Sequence, residues 1–184
     1  RANVLFNIMR GGVFSDNYLI SKSLLKPHLV KHNSKLNASD LAIIDALPEE
    51  FNYNELVASS ASGSPDLQRI CNEYLPLVFS RRHGDPSRPW NRFNIKTKDE
   101  RGNPIVGFQG NWSDILQNWE ALAWSFPYYN NAFIHKFLNA TPADGYNPYR
   151  ITVNGIEWAE PDPSDPWASI GYWGDHQIIY LLKL

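Results

Sequence analysis

The spacing of apolar residues predicts that helices dominate this chain. Apolar positions three and four residues apart are typical of amphipathic helices, and Ser, Asp and Pro residues mark where such helices begin and end. Pro27 and Pro76 are expected to bend or end the helices that they follow or enter, because proline lacks the N–H that a helix interior needs. The predicted helices cover residues 16–25, 39–47, 53–60, 64–78, 113–126, 129–140 and 175–184.

Two short β-hairpins are predicted between the helices. Residues 93–97 alternate as a strand whose partner is residues 104–108, and residues 151–153 pair with residues 156–158 around Asn154-Gly155, a dipeptide typical of a tight hairpin turn. The fold class expected is therefore mainly α with two small β-hairpins. We treat residues 1–184 as a single segment with a loop and hairpin insertion at about 80–108.

Composition excludes several functional classes. The chain has 184 residues, 43% of them hydrophobic and 20% charged, and its formal net charge is −2. A disordered tail would have fewer apolar residues, and a nucleic-acid module would be strongly basic. No apolar run reaches the ~18–20 residues of a membrane span. The single cysteine, Cys71, excludes an intramolecular disulfide, and we assign no metal ion and no cofactor.

The helix predicted over residues 113–126 has an unusual polar side. On a helical wheel, its apolar residues form one broad arc, and the opposite arc carries no Lys or Arg. Exposed helix faces normally carry long charged side chains. A face of acid, amide and small residues suits a wall that carbohydrate hydroxyls approach closely, or alternatively a surface that packs on a loop. The polar arc consists of Asp114, Gln117, Asn118, Ala121 and Ser125.

Two other places carry candidate chemistry. Asp175 falls among apolar positions of the last predicted helix, where it is either the N-cap or a buried functional group. His176 follows it and is able to titrate near neutral pH. In the loop at residues 80–92, Arg81 and Arg82 are candidates to bind phosphate or carboxylate, unless Asp85 and backbone carbonyls occupy their donors.

Three stretches, residues 110–120, 141–146 and 171–176, together resemble the inverting glycoside phosphorylases related to cellobiose phosphorylase. Those proteins are (α/α)6 toroids of the six-hairpin glycosidase superfamily. The resemblance covers roughly residues 105–184. Ser113 stands where the family pattern has arginine, and the family's Gly-Gly-Asp-Trp-Asn-Asp motif is absent. The first hundred residues look like part of a large, poorly characterised bacterial relative of such toroids.

This resemblance implies part of a carbohydrate-active (α/α)6 domain that cleaves glycosidic bonds by hydrolysis or phosphorolysis. Such cleavage needs a carboxylic acid and, opposite it, a base or a bound phosphate. The partners implied are an oligosaccharide, phosphate in a phosphorylase, and the remainder of the parent chain, with no nucleic acid and no membrane. The catalytic candidates are Asp114, Glu120 and Asp175. The candidates for substrate binding are Trp112, Gln117, Trp173, His176, Arg81 and Arg82.

A second interpretation is a non-catalytic helical domain that binds a glycan or a protein. The enzyme interpretation requires Asp114, Gln117 and Asp175 to line one concavity with a tryptophan, either Trp112, Trp124 or Trp173. The last helix stops on apolar residues, so we expect a segment of a longer polypeptide, unless that helix packs back on the domain. The chain holds roughly half the helices of a complete toroid, which predicts that the isolated segment lacks a complete catalytic apparatus.

Overall fold

The computed structural model describes residues 19–79, 96, 98–103, 105–143, 147–158, 164 and 176–184. At residues 79, 113, 114, 125, 176 and 177 the description covers the backbone alone. The helices are α1 (Lys22–His32), α2 (Ala38–Asp45), α3 (Tyr53–Ser60), α4 (Pro65–Asn72), α5 (Trp112–Ser125), α6 (Asn130–Ala140) and α7 (His176–Leu181), with a 3-10 turn at Pro127–Tyr129. The strands are β1 (Ile20–Ser21), β2 (Glu50–Phe51), β3 (Val78–Phe79), β4 (Gly107–Asn111), β5 (Arg150–Thr152) and β6 (Gly155–Glu157).

Three of the first four helices, α2, α3 and α4, begin with a side-chain cap. Asn37 and Asn52 each build a reciprocal capping box, at the start of α2 and α3 respectively. Ser64 caps α4, which begins with Pro65 as predicted. Strand β1 pairs antiparallel with β2, and this pairing joins the start of α1 to the start of α3. The prediction of a helix at residues 53–60 is confirmed to the residue.

One buried carboxylate joins two of these caps. Asp40, which is 1% exposed, accepts hydrogen bonds from the Ser64 backbone N–H (2.9 Å) and hydroxyl (2.8 Å). It also accepts one from the Asn37 N–H (3.3 Å) as part of the α2 capping box. The backbone hydrogen bond from Ser64 is the main reason that the pKa of Asp40 lies below its ordinary value. Asp40 therefore holds the N-termini of α2 and α4 together.

Two predicted helices have wrong boundaries. The first, predicted over residues 16–25, runs from Lys22 to His32, and strand β1 occupies residues 20–21 before it. It includes Pro27, since Leu25 and Leu29 bury its inner face and outweigh the lost hydrogen bond. The fourth ends at Asn72 rather than continuing to residue 78. Pro76 disfavours helical geometry in the residues before it, and the chain enters strand β3 instead.

A four-stranded sheet connects the two halves of the chain, in the order β3-β4-β5-β6. Strand β3 pairs parallel with β4, and β5 is antiparallel to both β4 and β6. The predicted partner of residues 104–108, the strand at 93–97, lies almost entirely outside the described residues.

The hairpin of β5 and β6 is shifted by one position from the prediction. Thr152 pairs with Gly155, so Val153 and Asn154 occupy the turn instead of Asn154 and Gly155. Gly155 adopts a φ of +131°, which favours glycine at this position. The Thr152 hydroxyl donates to the Gly155 carbonyl and accepts from the Asn154 N–H, both at 3.1 Å, which stabilises this register.

The core of the second half is aromatic. Trp112 stacks on Phe137 with a centroid distance of 4.7 Å, and Trp119 stacks on Phe133 at 5.3 Å. Phe108 of β4 meets the Trp119 ring edge-on at 5.7 Å. These rings hold α5 and α6 against the sheet. The prediction that the chain is mainly α with small β-strands is confirmed. No helix among the described residues is both long and apolar enough to cross a membrane.

Candidate functional site

Helix α5 carries four of the nine predicted site residues, Trp112, Asp114, Gln117 and Glu120, and it continues directly from β4. Trp112 is its first residue and is fully buried. Its Nε1–H donates to Asn147 Oδ1 at 3.2 Å, and its ring lies nearly parallel to that of Phe137. With its indole enclosed in this way, Trp112 serves the core rather than offering a face to a sugar.

The polar side of α5 is not one uniform surface. Gln117 is exposed, whereas Asn118 (5% exposed), Glu120 (4%) and Ala121 (2%) are buried by neighbouring elements. Asp114 lies on the first turn of the helix, and its side chain is outside the description. Gln117 therefore lies on the surface of the protein, and Glu120 lies on a side of α5 that neighbouring elements cover.

Glu120 joins α5 to the last described segment. Its Oε2 lies 3.8 Å from Lys183 Nζ, and the same ammonium lies 5.1 Å from the centre of the Tyr180 ring. Helix α7 packs along α5, and Leu181 and Leu184 reach the core. The Lys183 ammonium offsets part of the cost of burying the Glu120 carboxylate. This ion pair therefore links α5 to the residues that follow α7.

Several predicted site residues lie outside the described residues. These are Asp175, Trp173, Arg81 and Arg82. His176 is the first residue of α7, and only its backbone is described. The expected concavity shared by Asp114, Gln117, Asp175 and a tryptophan thus stays a prediction. Within the described part of the chain, no three or more His, Cys, Asp or Glu side chains are grouped so as to hold a metal ion.

A cavity of about 290 Å³ lies elsewhere, between the start of α3 and the 3-10 turn that follows α5. We call it the tyrosine cavity. Tyr128 is 63% exposed, whereas Tyr53 and Tyr129 are buried, with their ring centres 5.1 Å apart. The cavity is lined by Asn52, Tyr53, Asn54, Tyr128 and Tyr129.

Local sequence explains the geometry of the tyrosine cavity. Asn52 caps α3 through its Oδ1, and its Nδ2 group makes no hydrogen bond within the described part of the chain. Pro127 begins a tight turn that leaves Tyr128 on the surface and Tyr129 in the core. The Tyr53 hydroxyl donates to the Asn72 carbonyl at 2.6 Å, and burial raises its pKa, so this phenol stays protonated.

The lining of the tyrosine cavity combines aromatic rings with neutral amides. Asn52 and Asn54 bring amide side chains, which both donate and accept hydrogen bonds, and Tyr128 offers an exposed ring. Such a lining suits a neutral, polyhydroxylated ligand that has an apolar face. This cavity was not predicted from the sequence. Two sequence features point to it, Asn-Tyr-Asn at the start of one helix and Pro-Tyr-Tyr after another. Only the tertiary fold brings these two segments together.

Comparison with known families places part of the chain near glycoside hydrolases. Residues 14–76 match the model of glycoside hydrolase family 149 insertion domain 1. The match includes the Asn52–Asn54 side of the tyrosine cavity and ends before the sheet and α5 begin. No curated protein matches the chain. The match supports a glycosidase-related family. It lies in residues 14–76, whereas the resemblance to glycoside phosphorylases lies in residues 105–184.

Proposed function

We propose that this chain is part of a carbohydrate-active (α/α)6 enzyme that acts on glycosidic bonds, and that the tyrosine cavity contacts its saccharide. The similarity of residues 14–76 to a glycoside hydrolase insertion domain supports the carbohydrate part of this proposal. The resemblance of residues 105–184 to glycoside phosphorylases supports the toroid, with the remaining helices supplied by the rest of the parent chain.

The exposed ring of Tyr128 beside two asparagines is the observation that carries saccharide binding. A pyranose presents C–H groups on its faces and hydroxyls around its edge. Tyrosine covers such a face, and amide groups pair with hydroxyls as donor and acceptor together. Because the lining residues within the described part of the chain are all neutral, the site favours an uncharged sugar unit over a sugar phosphate.

Bond cleavage is assigned to the residues that the resemblance singled out. In this proposal Asp114, Glu120 and Asp175 are the candidates for acid and base. Trp173, Gln117 and His176 contact the sugar, and Arg81 with Arg82 would bind phosphate if the reaction is phosphorolysis. For Glu120, the burial beside Lys183 favours a positioning role over direct contact with substrate.

A binding measurement tests the cavity. Short neutral oligosaccharides are titrated into the native chain, Tyr128→Ala and Trp158→Ala, with heat or amide chemical shifts as the signal. Trp158 is a matched control, since it is an aromatic side chain that is 42% exposed but does not line the cavity. We expect Tyr128→Ala to weaken binding about 10-fold, the equivalent of ~1.4 kcal/mol, and Trp158→Ala to leave it unchanged. Equal affinities for all three proteins would refute saccharide binding at this cavity.

A second candidate function is a non-catalytic binding domain, which the match to an insertion domain specifically favours. Replacement of Asp114 by Asn in the intact parent protein separates the two. The enzyme proposal expects turnover of oligosaccharides to fall at least 100-fold, as for loss of a general acid or base. Unchanged turnover together with retained saccharide binding would assign this chain to the non-catalytic class.

A further inference from the structure

Two histidines on the inner side of α1 form a stacked pair. The rings of His28 and His32 lie 4.0 Å apart with an interplanar angle of 26°. The His28 ring also meets the edge of Tyr74, which is 4% exposed, at 5.1 Å. The two residues are four apart on one helix, a spacing that places them one above the other. We call these two residues the histidine pair. It was not predicted from the sequence, although the spacing of four residues indicates that the two rings can meet.

The hydrogen bond of His32 fixes which of its nitrogens carries the proton. His32 Nδ1 lies 2.7 Å from the His28 carbonyl oxygen, and a carbonyl only accepts. Nδ1 therefore carries the hydrogen, and Nε2 of the neutral ring holds a lone pair. Nε2 is buried and has no hydrogen-bond partner among the described residues.

The surroundings of the histidine pair are also unfavourable to positive charge. The pKa of His28 is lowered to about 3, mainly by burial and then, in decreasing order, by the neighbouring His32, Lys136 and Lys31. Lys136 comes from α6, and burial lowers its own pKa as well. Cations on two helices thus face the pair.

The acid that acts on Lys136 is already engaged by other partners. Glu73, at the end of α4, raises the pKa of Lys136, while Arg69 lowers it. The Glu73 carboxylate accepts from Arg69 Nη1 at 3.2 Å and from Asn139 Nδ2 at 2.9 Å. It therefore offers the histidine pair little compensation, and Tyr74 facing His28 is a neutral phenol whose pKa burial raises.

We propose that the histidine pair is a pH-sensitive contact that holds α1 against Tyr74 while the His28 ring is neutral, and that acidification releases α1 locally. Release exposes the His28 imidazole to water, where it takes up a proton that the packed state excludes. It also breaks the bond from Lys31 Nζ to Asn154 Oδ1 (2.7 Å), which ties α1 to the hairpin of β5 and β6. This regulation is independent of the proposed saccharide binding.

The histidine pair is less suited to binding a metal ion than to binding a proton. Histidines four apart on a helix are a known metal-binding spacing, but here the rings stack on each other and one nitrogen of His32 bonds to the backbone. Lys136 would repel a cation. The arrangement therefore favours protons over metal ions as the bound species.

Hydrogen exchange of the native chain at pH 7.5 and 5.0 tests the proposal. Exchange rates are corrected for the intrinsic effect of pH, and opening of α1 is compared with opening of α3. An imidazole with an ordinary pKa of about 6.5 in the open state increases the opening constant of α1 about 30-fold for His28 alone. Protection of α3 should change much less. Equal losses in both helices, or none in α1, would overturn local release.

Variants identify the group responsible. His28→Phe keeps a stacked ring that cannot be protonated, and we expect the acid-induced opening of α1 to fall below about 3-fold. His28→Gln serves the same purpose if phenylalanine disturbs folding. His135→Gln, on α6, is the matched control and should behave as the native chain. A His28 ring that gains its proton near pH 6.5 in the packed native state, seen by its nitrogen chemical shifts, would contradict the proposal independently of folding.

Discussion

The two halves of the molecule are held together in different ways. In the first half, α2, α3 and α4 each begin with a side-chain cap, and the buried Asp40 joins two of the caps. In the second half, α5 and α6 have no side-chain hydrogen bond from their N-cap residues. Stacked aromatic rings hold these helices instead. The comparison shows that polar caps and aromatic packing are alternative ways to fix short helices.

The second half also has more buried polar atoms without a hydrogen-bond partner, and more exposed large apolar side chains, among the described residues. Among the described residues, Asn118 Nδ2 and Trp119 Nε1 are buried without a hydrogen-bond partner. Several large apolar side chains are exposed there: Trp124, Tyr128, Leu138, Ile178, Ile179 and Leu182.

The largest stability effect is expected from the aromatic core. Trp112→Ala removes the ring that stacks on Phe137 and the N–H that donates to Asn147 Oδ1. We expect the free energy of unfolding to fall by about 4 kcal/mol, which is typical of a buried Trp replaced by Ala. Urea denaturation followed by fluorescence measures this. Trp124→Ala is the control, because Trp124 is 74% exposed, and should stay within about 0.5 kcal/mol of the native chain.

The next effect is expected from Asp40, the centre of the capped half. Asp40→Ala deprives the Ser64 N–H and hydroxyl of their acceptor and breaks the α2 capping box. We expect a loss of about 3 kcal/mol in the free energy of unfolding. Asp45→Ala should cost less than about 1 kcal/mol, since the Asp45–Lys26 ion pair is exposed. Similar losses for both variants would show that the double cap contributes little.

The acid dependence of stability provides an independent check on Asp40. Its folded-state pKa lies below the ordinary value of 3.8, so the unfolded chain binds the proton more readily. The stabilisation is therefore fully present above that ordinary value and is lost as the pH falls through the lower, folded-state pKa. Asp40→Asn should flatten the stability profile in this acid range, which urea titrations at a series of pH values measure.

The contrast between the halves explains what could be predicted from sequence. Caps act over a few residues, so the start of α4 at Pro65 was predicted correctly from Ser64. The start of α3 at Tyr53 was also predicted correctly, although its cap Asn52 took no part in that prediction. The sequence left open whether the polar face of α5 packs on other structure, as Asn118 and Ala121 do, because a helical wheel shows which residues share a face but not what covers it. The tyrosine cavity was missed for the same reason, since Tyr53 and Tyr128 are far apart in the chain.

The smallest effect separates capping from binding at one residue, Asn52. Asn52→Ala removes both the cap of α3 and an amide of the tyrosine cavity, and should cost about 1 kcal/mol of stability. Asn52→Ser preserves an oxygen that accepts from the Glu55 N–H, so stability should stay within about 0.5 kcal/mol. If the amide contacts saccharide, the Ser variant still binds oligosaccharide several-fold more weakly. If Asn52→Ser binds as the native chain does while Tyr128→Ala does not, recognition depends on ring stacking and Asn52 serves only the helix.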